Sequence, residues 1–168
     1  MSSTNSAERP KIEFPKGSGR NVFEGTKTGD PKKDAVLADL TQGIDSVDEA
    51  IFKGSLKSRA LAFYNVDKAL VTSSDYVKGY VDKGQSWVGT TRYSDWRITP
   101  RDDGAVSVVY CSDESKSNIS DRKTGKVDKT PTSADSYVLY NARLKKNSSG
   151  VWQTVDVVSE RGADQCQP

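Results

Sequence analysis

An α+β fold, with its helices first and its sheet second, is predicted by the order of the hydrophobic patterns. Between Asp30 and Gly84, apolar residues recur at spacings of three and four, which is typical of amphipathic helices. After Gly84 the spacing changes to two and turn sequences separate the runs, which is typical of antiparallel strands. Helices followed by strands favour the α+β class. The 168 residues suffice for one domain, which we place at residues 31–166.

Residues 1–29 are predicted to lie outside this domain. They are rich in Ser, Thr, Lys, Pro and Gly and have little periodicity, so they bury too little apolar surface to offset their ordering entropy. We expect a disordered tether or an added leader, with local docking as the alternative for the few apolar residues. The first residues do not form a signal peptide, so we expect an exported form to be a processed one. The apolar exceptions are Ile12, Phe14, Val22 and Phe23.

The first helix has clear sequence signals at both ends. Asp30 is a favourable N-cap and Pro31 a favourable first helical residue. An apolar stripe then continues to about Lys53, and Gly54 is a natural C-terminal stop. The pattern predicts a helix over 31–53.

Two further helices are predicted before the sheet begins. Residues 59–70 carry a second helical pattern. Ser73 or Ser74 would cap a third helix, which would end at Gly84. Strands then follow around Trp96 to Ile98, Val106 to Tyr110, Ile119, Val127, Tyr137 to Leu144 and Val151 to Val158.

Composition excludes several classes of function. Twenty-five basic and 23 acidic residues nearly cancel, so the charge indicates neither nucleic acid nor an acidic membrane as a partner. No segment approaches the ~20 apolar residues of a membrane span, so we expect membrane association only through a lost lipid anchor. The chain has no histidine, which removes the commonest general base and metal ligand. We expect no metal and no cofactor.

The two cysteines indicate where the protein works. Cys111 ends an alternating apolar run and Cys166 lies third from the C-terminus. Each has only the other as a partner, and we expect an intramolecular disulfide, with two buried free thiols as the alternative. A disulfide favours a location outside the reducing cytosol. We therefore expect an extracellular protein or one on the outer face of the cytoplasmic membrane.

Several short motifs occur in order within residues 31–166: Trp96-Arg97-Ile98, Cys111-Ser112-Asp113, Thr124-Gly125-Lys126, Gly150-Val151-Trp152 and the final Cys166. On these motifs the chain carries a family resemblance. The chain resembles the actinobacterial secreted or lipoprotein branch of the nuclear transport factor 2-like superfamily. That resemblance implies helices packed on a curved, mostly antiparallel sheet, a cone with an apolar pocket. Isomerases, cyclases, dehydratases and binding domains share this fold, so it does not define the function.

Four polar residues of the helical half are weak catalytic candidates: Tyr64, Asp67, Tyr76 and Tyr80. A buried Asp67 with a raised pKa could act as a base, and a nearby tyrosine could stabilise an enolate-like oxygen. The alternative, which we favour, is that Tyr76 and Tyr80 pack a helix against the sheet while Asp67 is solvated. Trp87 lies in a loop-like segment and is the candidate for an exposed rim that contacts a ligand or partner.

Three functions remain open at this point. The leading hypothesis is a non-catalytic secreted or lipid-tethered envelope domain that binds a small apolar ligand or a partner protein. The second is a small isomerase-like or cyclase-like enzyme with an Asp/Tyr pair in the cone. The third is an interaction module that forms a homodimer through its sheet. An inward, desolvated carboxylate in an apolar pocket would favour the enzyme, and a filled cone with a flat apolar sheet would favour the interaction module.

Overall fold

A computed structural model describes residues 8–168 and shows three helices packed on one six-stranded sheet. The α+β prediction is therefore confirmed. Two short 3₁₀ turns, Ala134–Ser136 and Asp164–Cys166, complete the order of elements. The helices are α1 (Pro31–Lys53), α2 (Arg59–Tyr64) and α3 (Asp67–Asp82), and the strands are β1 (Arg20–Phe23), β2 (Gln85–Pro100), β3 (Val106–Asp121), β4 (Val127–Asp128), β5 (Tyr137–Lys146) and β6 (Trp152–Arg161).

The sheet is antiparallel except at one edge. Its order is β1-β2-β3-β5-β6, and the short β4 pairs with the far end of β3. Only β1 is parallel, and it runs beside β2. Register shifts interrupt β2 between Thr90 and Arg92 and between Ser94 and Arg97. Such bulges bend a strand and increase its twist, which curves the sheet into a cone.

The concave face of the sheet packs against α1. Side chains alternate along each strand, so Tyr110 and Ala142 face the helices while Cys111 and Asn141 face away. The largest core cluster joins apolar residues of α1 to the inward residues of three strands. Its most buried members are Leu37, Leu40, Val108, Ala142 and Leu144.

The first helix forms as its end signals predict. The Asp30 side chain accepts a hydrogen bond from the Lys32 amide at 2.9 Å, and Pro31 occupies the first turn. Gly54 adopts φ +64° at the C-cap, a conformation that glycine tolerates best. The bounds predicted from sequence, 31–53, are confirmed.

The boundary between the second and third helices differs from the prediction. α2 ends at Tyr64, and α3 begins at Asp67 rather than at Ser73 or Ser74. Asn65 forms a bridge to Thr154 of β6, and the Val66 amide donates to the Thr154 carbonyl at 2.9 Å. This tertiary pairing interrupts the helical pattern.

The prediction of a tether is wrong for residues 8–29; residues 1–7 lie outside the described residues. We use "strap" for residues 9–24, which run along α1 and then join the sheet as β1. Arg9 donates to both oxygens of Asp39, at 2.9 and 3.1 Å. The Glu13 amide donates to Glu49 at 2.7 Å, and the Phe14 ring packs edge-on against Phe52. Buried polar contacts, which composition does not show, thus hold this polar segment in place.

The other end of the chain is fastened to the outer face of the sheet. Cys111 of β3 and Cys166 form a disulfide, with Cα atoms 5.5 Å apart. The predicted pairing is confirmed. Among the described residues, no helix combines the length and apolarity needed to cross a bilayer.

Candidate functional site

A cleft opens between the helices and the concave sheet, and it has two lobes. The inner lobe, of about 210 Å³, lies under α1, α3 and β6. The outer lobe, of about 420 Å³, lies between α3, β3 and the segment before β5. Both lobes are lined by the same five junction residues, so they meet there. The junction residues are Asp48, Tyr76, Tyr93, Tyr140 and Arg161.

Aromatic rings form the sheet side of the inner lobe. Tyr110 and Tyr140 stack with ring centroids 5.1 Å apart, and Tyr93 lies 6.0 Å from Tyr110. Such offset arrangements are favourable and keep the rings in fixed orientations. Burial raises the pKa of all three tyrosines, so they stay neutral and can donate a hydrogen bond at any physiological pH. The helix side is apolar, formed by Leu40, Ile44 and Val47.

Asp48 of α1 supplies the carboxyl group at the junction of the lobes. It is only 8% exposed. One oxygen accepts a hydrogen bond from the Trp87 indole at 3.1 Å, and the other accepts one from the Asn21 amide at 2.7 Å. Burial raises the pKa of Asp48 to about 7, although both hydrogen bonds favour the ionised form and act against that rise.

The strap brings Asn21 into this cluster. The Asn21 amide nitrogen donates to Asp48 and also to Asp45 at 3.0 Å, so it bridges two carboxyl groups. Burial raises the pKa of Asp45 to about 6. The strap therefore sets the surroundings of Asp48 as well as covering α1.

An ion pair and two tyrosines of α3 line the outer lobe. Arg161 donates to both oxygens of Glu114 at 3.2 Å and to the Asp135 carbonyl at 2.8 Å. The rings of Tyr76 and Tyr80 lie 5.4 Å apart, edge to face. Tyr76 is 49% exposed, yet desolvation raises its pKa, which fits a ring whose hydroxyl faces the cleft.

Only two of the four catalytic candidates line the cleft. Tyr76 lines both lobes and Tyr80 the outer one. Asp67 is exposed at the first turn of α3, as the alternative interpretation expected, and lines neither lobe. Tyr64 is 1% exposed and lies in a separate core cluster with Ala60 and Val151. The carboxyl in the cleft belongs to Asp48, and the Asp67 hypothesis is wrong.

Trp87 also differs from its prediction. It lies inside β2, is 6% exposed and packs against Phe52 with ring centroids 5.0 Å apart. The strand begins at Gln85, directly after Gly84, so the segment expected to be a loop is paired with β3. Trp87 borders the outer lobe from within the core and is not an exposed rim residue.

The functional residues that sequence reasoning missed carry one usable signal. Asp48 follows Ile44 by four residues and precedes Ile51 by three, which places it on the apolar stripe of α1. A charged residue on a buried stripe indicates a functional or partnered carboxyl. No local pattern indicates Asn21 or Arg161, which reach the site through long-range contacts.

Other uses of the molecule find less support. Within residues 8–168, no three acidic or cysteine side chains group so as to hold a metal ion. The outer face of the sheet carries charged residues, including Arg101, Arg143 and Asp156. It is not the flat apolar surface that a sheet-mediated homodimer would present.

Solved structures of other proteins have a similar architecture. The chain resembles a ketosteroid isomerase-like protein from Erwinia carotovora atroseptica, with a TM-score of 0.51 and 13% identity over 76% of this chain and 93% of that one. It also resembles Aln2 from a Streptomyces species, with a TM-score of 0.50 and 16% identity over 79% and 92%. No family model and no curated protein sequence matches it. These likenesses show the fold alone, helices packed on a curved, mostly antiparallel sheet, which this chain shares with a ketosteroid isomerase-like protein.

Proposed function

We propose that this protein is a ligand-binding domain that takes a small, mostly apolar, ring-shaped molecule into the inner lobe. The observation that carries the proposal is an open cavity of about 210 Å³ between tyrosine rings and the apolar side of α1, with a single carboxyl at its junction. Binding pockets are mostly apolar, with a few polar groups that orient the ligand. The inner lobe has that composition.

The proton affinity of Asp48 suits such a role. With a pKa of about 7, the carboxyl is partly protonated and partly ionised near neutral pH. It can therefore donate a hydrogen bond to a ligand carbonyl or accept one from a ligand hydroxyl. Both of its oxygens are already held by Asn21 and Trp87, so its orientation is fixed before the ligand binds.

We place the protein outside the reducing cytosol, either extracellular or on the outer face of the cytoplasmic membrane. The disulfide between Cys111 and Cys166 supports this placement, because such bonds persist in oxidising compartments. The motifs that resemble the secreted actinobacterial branch of this superfamily agree with it.

Binding of 2-naphthol, measured by isothermal titration calorimetry, tests the proposal. We expect one site per chain and a marked loss of affinity in Val157→Phe, because Val157 lines the inner lobe. Val71→Phe is the matched control, because Val71 is exposed on α3 and lines neither lobe. Absence of saturable binding, or equal affinity in both variants, would contradict the proposal.

Proton transfer is the second candidate, and Asp48 is the observation that favours it. An enzymatic base works best when its pKa lies near the working pH. Asp48 would accept a proton from the carbon beside a ligand carbonyl, leaving an enolate. Tyr93, the adjacent neutral hydroxyl, would donate a hydrogen bond to the enolate oxygen.

Deuterium exchange distinguishes the two candidates. In D₂O, an enzyme would accelerate exchange of the C–H next to the carbonyl of 2-tetralone, followed by NMR, and Asp48→Asn would abolish that acceleration. A binding domain would hold 2-naphthol with no acceleration in either protein. The same samples serve for both measurements, and their circular dichroism spectra would reveal a folding defect in the variant independently of binding.

A further inference from the structure

The outer lobe differs in chemistry from the inner one, and its lining points to the rest of the ligand. Tyrosines apart, the described lining of the outer lobe has more neutral hydroxyl and amide side chains than aliphatic ones, whereas the inner lobe has five of each. These groups come from β3 and from the segment between β4 and β5. They are Ser115, Ser117, Asn118, Thr130, Ser133 and Ser136.

Some of these groups are already used by the protein. Ser133 and Ser136 form a capping box at the 3₁₀ turn, and the Ser117 hydroxyl donates to the Glu114 carbonyl at 3.0 Å. Asn118 pairs with Val88, so its side chain lies on the other face of the sheet from Trp87 and Ile119. Within the described part of the chain, the side chains of Ser115 and Thr130 have no hydrogen-bond partner and line the outer lobe. Each can both donate and accept, so together they can hold a group that does the same.

The charges of the outer lobe disfavour an anionic occupant. Arg161 and Glu114 face each other at 3.2 Å and neutralise one another. Asp135 adds a carboxylate to the lining, and no second arginine and no lysine lies among the described lining residues. An anionic group would therefore meet no free cation and would be repelled.

One ligand can span both lobes, although the outer lobe alone, at about 420 Å³, already has the volume of an ordinary ligand pocket. The inner lobe is smaller than the ~300 Å³ at which ligand pockets usually begin, while the two lobes together fall within the usual range. Their shared junction at Asp48, Tyr76 and Tyr140 gives a continuous path.

We propose, building on the function above, that the ligand is an amphipathic ring compound bearing a neutral, sugar-like polyhydroxylated group. The ring occupies the inner lobe and the hydroxylated group the outer lobe. Ser115 and Thr130 are the specificity-determining residues for that group.

Calorimetry with a matched pair of probes tests this inference. We expect 2-naphthyl β-D-glucopyranoside to bind about tenfold more tightly than 2-naphthol, since one or two additional net hydrogen bonds have that effect. Ser115→Ala and Thr130→Val should remove this preference and leave the affinity for 2-naphthol unchanged. Asn141→Leu, on the opposite face of the sheet, is the control and should keep the preference.

The possible outcomes distinguish the assignment of the outer lobe from the proposal of a binding site in the inner lobe. If 2-naphthol binds and the glucoside binds no better, the assignment of the outer lobe is overturned while the inner-lobe site stands. If neither probe binds, both proposals fail. Because Thr130 is exposed outside the strands, its variant is expected to fold even if Ser115→Ala does not.

Discussion

The two ends of this chain are fastened to the same domain by different means. The strap, residues 9–24, is held by noncovalent contacts that include Asp39, Asp48 and Glu49 of α1. The C-terminal tail is held by one covalent bond on the outer face of the sheet, between Cys111 and Cys166. The strap reaches the cleft, whereas the disulfide lies on the face opposite Tyr110.

This difference separates stability from site chemistry. A disulfide stabilises mainly by restricting the unfolded chain, and it does so wherever it lies. The strap contacts act locally, because Asn21 contacts the carboxyl that lines both lobes. Breaking the tail should therefore cost stability alone, and breaking the strap should alter the site.

The largest expected effect is loss of the disulfide. In Cys111→Ala/Cys166→Ala, the free energy of unfolding should fall by roughly 4 kcal/mol, the chain-entropy value for a 55-residue separation. Urea denaturation measures this change, and reduction of the wild-type protein is the control. The folded double variant should bind 2-naphthol with unchanged affinity; weakened binding would contradict the separation of the two roles.

A change of pH should alter the free energy of unfolding by a comparable total amount. The unfolded Asp48 carboxyl loses its proton near its ordinary pKa of 3.8, while the folded one keeps it until about 7. Stability should therefore fall as pH rises through this window, by ~1.4 kcal/mol per pH unit in its middle. Asp45, with a pKa of about 6, acts in the same direction at lower pH.

Denaturation of wild type and Asp48→Asn between pH 4 and 8 measures this contribution. Between pH 6 and 7 the wild-type decline should be clearly the steeper, because most of the Asp45 effect is already complete there. Parallel curves over that interval would contradict a raised pKa at Asp48.

A smaller effect should follow from displacing the strap. A Cβ at Gly19 would overlap the Trp87 ring, so Gly19→Ala should cost about 1–3 kcal/mol, as overpacking does. It should also weaken 2-naphthol binding, because Trp87 and Asn21 position Asp48. Gly79→Ala is the matched control: its Cβ meets open space on α3, and helix propensity predicts a gain of up to ~1 kcal/mol. If Gly19→Ala is destabilised but binds 2-naphthol with unchanged affinity, the strap does not influence the binding site.

The smallest structural change is Asn21→Leu, which removes one amide. The hydrogen bond from Asn21 lowers the pKa of Asp48, so its loss should move that pKa upward. Two carboxyl groups also lose a donor, at a cost of about 1–3 kcal/mol. Titration of the variant by carbonyl-detected NMR measures the shift. A shift downward, or none, would show that the strap does not act on Asp48.

The tail and the strap also differ in how far sequence predicts them. The disulfide followed from two cysteines with no other partner, and the ends of α1 followed from Asp30, Pro31 and Gly54. These signals are local or chemically unique. The change from helical to alternating periodicity likewise gave the α+β class, because each element buries one face.

The strap and the cleft depend on contacts that no local pattern encodes. Composition predicts a tether for residues 1–29. It does not show the partners of this segment on α1, because they lie 24 to 36 residues further along the chain. The break after Tyr64 arises from pairing with Thr154, and this tertiary contact overrides helix propensity. Asp67 was the more visible candidate, yet Asp48, on the apolar stripe of α1, occupies the cleft.

The central claim is that Asp48 is a desolvated carboxyl in a ligand cleft, and its own titration tests this most directly. Carbonyl-detected NMR of ¹³C-labelled protein, assigned with Asp48→Asn, would follow the carboxyl carbon with and without saturating 2-naphthol. The account predicts a midpoint at about 7 that moves when the probe binds. A midpoint near the ordinary 3.8, unchanged by the probe, would contradict it.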